Sequence, residues 1–199
     1  MSEVVRAYIV NLAEIRRLIG SKDGQLANQI VLSQAHEIAE LNDIFSDDID
    51  DGMPTFEESV KRLIDGAPPI DDPSMCWYTI ELVARHLGRQ IPVQGLEDVD
   101  YTYLSDVDQV LVDLLSVPRE LALTGILERG VSMDLPSAGG EPSVGALEAD
   151  DCRTIAALVE GVDADDLDAD SEILRGVRSY LDVVDEAVRA AADAMFFYG

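Results

Sequence analysis

Residues 74–88 read SMCWYTIELVARHLG, and this stretch decides the fold. It holds the single tryptophan of the chain, one of two cysteines and one of two histidines. Asp72-Pro73-Ser74 marks a helix start, because a short polar side chain accepts a first-turn N–H and proline fits the first turn. Gly88 marks the stop. Between them Cys76, Trp77, Ile80, Val83, Ala84 and Leu87 recur at helical spacing. Met75, Tyr78 and Leu82 make the opposite side apolar as well, so this helix belongs in the middle of a domain. The polarity that remains is Glu81 and Arg85, four apart in the favourable order for an ion pair.

Toward the N-terminus, residues 8–12 (YIVNL) are β-rich and apolar and read as a strand. Residues 13–19 switch to helical spacing. One long helix is predicted from residue 22 or 23 to 45, with Val31, Ala35, Ile38, Leu41, Asn42 and Phe45 on one face. Residues 46–54 (SDDIDDGMP) read as an acidic turn. Thr55 with Glu58 forms a capping box ahead of a helix that ends at Gly66. Residues 67–73 (APPIDDP) form a rigid linker into the central helix.

Toward the C-terminus, residues 91–93 are too short and proline-broken for an inner strand. Helices follow at 105–115 and from Pro118 to Gly130, and residues 131–135 (VSMDL) alternate as a strand would. Residues 136–145 (PSAGGEPSVG) read as a loop, opening an acidic, weakly patterned segment of about 136–170 with a helix at 150–160. From Ser171 a long amphipathic helix runs through Ala191. The last run, Met195-Phe196-Phe197-Tyr198, is too aromatic to leave in water and reads as a closing strand. The expectation is one α+β domain over 1–199, helix-rich, with a small sheet that includes the N- and C-terminal strands.

Forty acids stand against fourteen Lys and Arg, a net charge of −26. Such a field repels a phosphate backbone and an anionic bilayer surface, which argues against nucleic-acid and membrane partners. No run reaches the roughly 20 apolar residues of a membrane helix. The opening residues lack a signal-peptide pattern, and two cysteines suit a reduced compartment, so the expected location is cytoplasmic. Three readings of the acidity stand, a solvated surface, complementarity to a basic partner and imitation of nucleic-acid charge, and the spread of acids along the whole chain favours the first.

The common enzyme templates fail in turn. His36-Glu37-Ile38-Ala39-Glu40 has glutamate where the zinc-protease signature needs its second histidine. An EF-hand loop starting at Asp166 keeps Asp168 and Asp170 but loses the turn glycine to Ser171 and the bidentate glutamate to Val177. Asp150 and Asp151 beside Cys152 raise its thiol pKa. Cys76 and His86 lie about 15 Å apart along one helix, beyond reach of each other. Gly139-Gly140 lacks the lysine and spacing of a phosphate loop, and neither GxGxxG nor GxSxG occurs. No cofactor or metal is expected.

Five groups of residues resemble an uncharacterised family of bacterial single-domain proteins of unknown function. They are Tyr8 with Leu12, Ile15 and Leu18; Gly20-Ser21-x-Asp23; Tyr78-x-x-Glu81-Leu82 with His86-Leu87-Gly88; Arg129-Gly130 leading to Leu135-Pro136; and Phe197-Tyr198-Gly199. The opening strand–helix, the helix near Asp106 and the closing helix–strand are also remotely similar to the YfbM-like family. The resemblance implies a small α+β domain with no assigned activity, and the acidic segment from 148 to 170 departs from it as an insertion would.

The reading that results is a non-catalytic cytoplasmic protein that binds a basic protein through acidic surface, as an inhibitor or immunity-type protein does. The competing reading is an enzyme or small-ligand binder with a polar pocket on the central helix, lined by Tyr78, Glu81, Arg85 and His86. For the oligomeric state, a monomer and a homodimer through a spare apolar face around Leu82 both stand open.

Overall fold

In the computed structural model, which describes residues 3–67, 72–133, 143–162, 167 and 169–199, the chain opens with β1 (Val5–Val10), α1 (Leu12–Leu18), α2 (Gly24–Ser33) and α3 (Ala35–Ile44). There follow α4 (Ser46–Asp50), α5 (Phe56–Asp65), α6 (Pro73–Leu87), β2 (Arg89–Ile91), α7 (Tyr101–Asp113) and α8 (Leu123–Arg129). The chain closes with β3 (Ser143–Leu147), α9 (Ala149–Leu158), α10 (Ser171–Ala190) and β4 (Asp193–Tyr198). The fold is α+β and helix-rich, and its small antiparallel sheet takes in the first and last strands. Two units gather these elements, one built on Met1–Asn11, Arg89–Ser132 and Ser143–Gly199, the other on Leu12–Gly88.

The sheet unit has strand order β2-β1-β4-β3. β1 and β4 run antiparallel with Val5 opposite Tyr198 and Val10 opposite Asp193, so the two ends of the chain do pair. Both strands are nearly fully buried along their length, which accounts for their continuous apolar runs in place of alternation. α10 lays Val177, Tyr180, Val183, Val184 and Ala187 into the core of this unit. Tyr180 stacks on Phe196 with ring centroids 5.9 Å apart, and its hydroxyl donates to Leu121 O.

Two close approaches lock this unit. The 3-10 turn Gln94–Leu96 meets α10 at Gly95, whose N–H donates to Ser179 Oγ at 3.0 Å. A Cβ on Gly95 would stand 2.4 Å from the carbonyl carbon and oxygen of Arg175, so only glycine fits. At the start of α8 the N-cap position is Ala122, which has no side-chain oxygen to offer. Asp108 of α7 supplies it instead, accepting from Leu123 N at 2.7 Å, Thr124 N at 2.9 Å and the Thr124 hydroxyl. At the sheet edge, Arg129 Nη2 donates to Ala146 O of β3 at 2.7 Å.

The all-helical unit is arranged around α6. Asp72 caps it by accepting from Met75 N at 2.8 Å, and Pro73 occupies its first turn. Nine of its fifteen residues are buried, Trp77 and Leu82 among them, as the all-round apolar pattern requires. Leu82 is 3% exposed, so the spare apolar face expected around it is not on offer to a second copy. α5 begins with the predicted Thr55–Glu58 capping box and ends at Gly66 in the left-handed region.

Several elements differ from the sequence expectation. The long helix over 22–45 is two helices broken at Gln34, where φ is −110° and ψ 21°. Ser33 Oγ donates back to Ile30 O at 3.1 Å, the type of local bond that bends a helix. The acidic turn contains α4, and the chain turns only after it, through Gly52 at φ 106°. Residues 131–133 carry no strand, and the expected loop is already β3 from Ser143. The strand read at 8–12 spans Val5–Val10, and the helix read from Pro118 is a 3-10 turn, Arg119–Leu121, followed by α8. Within the linker and loop readings, residues 68–71 and 134–142 lie outside the described residues.

Candidate functional site

The C-terminal half of α6 carries the four residues singled out from the sequence. Tyr78 is half-buried and meets Phe45 edge-on, with ring centroids 5.6 Å apart. Glu81 is 6% exposed. Arg85 Nη1 donates to Glu37 Oε1 at 2.6 Å, and His86 Nδ1 lies 2.7 Å from Ser33 Oγ. The partners run 45, 37, 33 as α6 runs 78, 85, 86, so the α2–α3 segment lies antiparallel along this side of α6. The break at Gln34 turns Ser33 and Glu37 toward successive residues of one helix. Ser33 and Glu37 escaped the sequence reading because they sit in what reads as an uninterrupted helix.

These two contacts clamp the α2–α3 segment to the end of α6. Ser33 Oγ lies 3.1 Å from Ile30 O as well as 2.7 Å from His86 Nδ1, so its one proton serves one or the other according to the tautomer of the imidazole. Ser33 ends α2 and His86 stands in the last turn of α6, at the negative ends of two helix dipoles. Developing oxyanion charge is disfavoured there, the reverse of what acyl transfer needs. The Glu37–Arg85 ion pair, with both side chains less than a third exposed, completes the clamp.

The other sequence candidates resolve separately. His36 Nε2 and Glu40 Oε1 stand 3.4 Å apart, with the histidine side chain 81% exposed. Asp170 caps α10, accepting from Glu172 N at 2.7 Å, while Asp163, Ala164, Asp165, Asp166 and Asp168 of the acidic run lie outside the described residues. Among the described residues no group of three His, Cys, Asp or Glu is placed to hold a metal ion. Burial pushes the Cys76 thiol up to about 11, with Asp72 adding to it. Burial and the Asp151 and Asp193 carboxylates push Cys152 up to about 12. Neither thiol reacts as a thiolate near neutrality. Titration of the native protein with a disulfide reagent at pH 8 should release less than about one-tenth of a thiol per chain within minutes, and both on unfolding. Fast labelling of the folded protein would mean that one of these cysteines is not enclosed.

Among the described residues, two clefts open on the sheet unit. One, of about 250 Å³, is lined by Ser105, Asp108, Gln109, Asp113, Arg119 and Thr124. The other, of about 240 Å³, is lined by Glu97, Asp98, Tyr103, Glu172 and Arg175 among others. Both fall below the roughly 300 Å³ at which small-molecule sites begin. Their best-placed polar groups are already engaged, Asp108 as the cap of α8 and the Tyr103 hydroxyl on Gly95 O and Glu172 O at 2.8 Å each.

What stands out is unpaired acid. Residues 40–51 hold six acids and no base. Asp43, Asp47, Asp48, Asp50 and Asp51 are exposed, and none pairs with a Lys or Arg among the described residues. No described helix is long and apolar enough to cross a membrane.

A protein-family model, described as a domain of unknown function, matches the chain over residues 1–199. No curated protein and no solved structure matches it.

Proposed function

We propose, for a chain that belongs to the DUF7691 family of unknown function, that it is a non-catalytic protein that binds a basic protein partner through its acidic surface. The observation that carries this reading is the exposed run of acid over 43–51, without a Lys or Arg partner among the described residues, in a chain of net charge −26. Complementary charge of this size raises association rates and rejects acidic competitors. The helix-end clamp at Ser33 and His86 and the small, engaged clefts support binding over catalysis. An inhibitor or immunity-type role in the cytoplasm of a bacterium is the form that suits such a surface, and the likeness to the YfbM-like family belongs to the same proposal.

Capture on the immobilised protein tests it. At about 50 mM salt a protein of basic pI should be retained, and about 0.5 M salt should release it, since the Debye length then falls to a few ångströms. Retention of no basic protein, or elution that ignores salt, would remove the basis of the reading.

The second reading, a small-ligand site, rests on Tyr78, Glu81, Arg85 and His86 sharing one side of α6 with Ser33 and Glu37. It predicts a ligand whose binding is abolished by Arg85→Ala in a protein that remains folded.

A further inference from the structure

We infer that α3 and α4 form the docking face, and that it takes a basic segment of the partner carrying an apolar anchor among its Lys and Arg. This inference rests on the function proposed above and assigns it a place.

The helices α3 and α4 are held on one side, through Asn42 and Phe45, and present most of the rest of their surface to solvent. α3 buries only Ile38, and α4 buries no side chain at all. Asp43 sits in the last turn of α3, where the dipole disfavours an anion, and no base stands there to offset it. Like charges three apart on one helix, such as Asp47 and Asp50 of α4, repel. Asp47 and Asp48, in the first turn of α4, suit its dipole, and a basic partner would relieve the repulsion among the remaining acids.

The same face exposes apolar surface. Ile44, at the end of α3, is 74% exposed. Ile44 follows His36 and Glu40 at four-residue steps and so shares their exposed stripe, where His36 and Glu40 stand 3.4 Å apart. An exposed apolar side chain within an acidic stretch is what an anchor-bearing basic segment buries, with the charges left at the rim.

The face is held rigid from behind. Phe45, at the α3–α4 junction, packs edge-on against Phe56 and Tyr78, with centroids 5.4 and 5.6 Å away. Asn42 accepts from Phe56 N at 2.9 Å and donates to Glu57 Oε2 at 3.1 Å. Preorganisation of this kind reduces the entropy lost on binding. A second copy of the chain is disfavoured as occupant by its own charge of −26.

Two synthetic peptides test the inference at about 50 mM salt, where charge is only partly screened. One carries Leu and Lys at helical spacing; the other is oligolysine of equal charge. Binding by fluorescence anisotropy and amide-shift mapping on the full chain should place the Leu–Lys peptide on residues 36–51. It should bind about tenfold more tightly than oligolysine, from burial of Ile44 and its surroundings. Ile44→Asp should remove that advantage, leave oligolysine binding unchanged or stronger, and keep the melting temperature, because the side chain is exposed. Asp47→Lys should weaken both peptides. Leu–Lys binding mapped elsewhere, or indifferent to Ile44→Asp, overturns the docking face while the acidic-binder function stands. Failure of both peptides to bind anywhere overturns that function too.

Discussion

Gly95→Ala should lower the melting temperature by about 4–12 °C, the shift that about 2–3 kcal/mol of overpacking produces in a chain of this size. The added methyl would stand 2.4 Å from the Arg175 carbonyl carbon and oxygen and 2.6 Å from Gly176 N. These are backbone atoms of α10, and a helix cannot turn them aside as a side chain turns. Either the 3-10 turn lifts, losing the Gly95 N–H bond to Ser179, or α10 shifts and drags Tyr180 off Phe196. Gly24→Ala is the matched control, since nothing lies within 4 Å of its added methyl. Thermal unfolding followed by circular dichroism separates the two. A Gly95→Ala protein that melts with the wild type would mean that the turn and α10 are not in contact.

The second large effect is at Asp108. Asp108→Ala leaves the N–H groups of Leu123 and Thr124 and the Thr124 hydroxyl without their acceptor in a buried place, at about 2–4 kcal/mol. Asp108→Asn keeps one oxygen but turns an NH₂ toward a donor, and should fall between. The pH dependence has a definite sign. Burial raises the Asp108 carboxyl above its usual 3.8, against the pull of its hydrogen bonds to Thr124 and Leu123. The folded state therefore holds this proton more firmly than the unfolded state. Its contribution is fully present below pH 3.8 and is lost as pH climbs through the raised folded-state value. Urea titrations across pH 3.5–7 should show this falling limb in the wild type and its loss in Asp108→Asn. An identical profile in the two proteins would show that Asp108 does not titrate in a buried cap.

Much of the fold is legible in the sequence because short-range chemistry specifies it. Asp72-Pro73 and the all-round apolar pattern give α6, Thr55 with Glu58 gives α5, and the aromatic tail gives β4. The rest depends on tertiary contacts that no local signal announces. Gln34 carries no helix-breaking chemistry, and α2 bends there through a serine that packs against the end of α6. α8 lacks a local cap because its cap is fifteen residues upstream, at Asp108. The acids over 46–51 read as a turn by composition, yet Phe45 anchors them as a helix. The same limit applies to the site. Tyr78, Glu81, Arg85 and His86 can be named from α6 alone, whereas Ser33 and Glu37 emerge only once α2 and α3 are laid beside it.

The central claim is that exposed negative charge brings this chain to a basic protein. The association rate constant of the captured partner, followed by stopped flow as salt is raised, tests it most directly. The rate should fall at least tenfold between about 20 and 150 mM salt, as electrostatically steered encounters do. A rate that stays level across that range would contradict the claim.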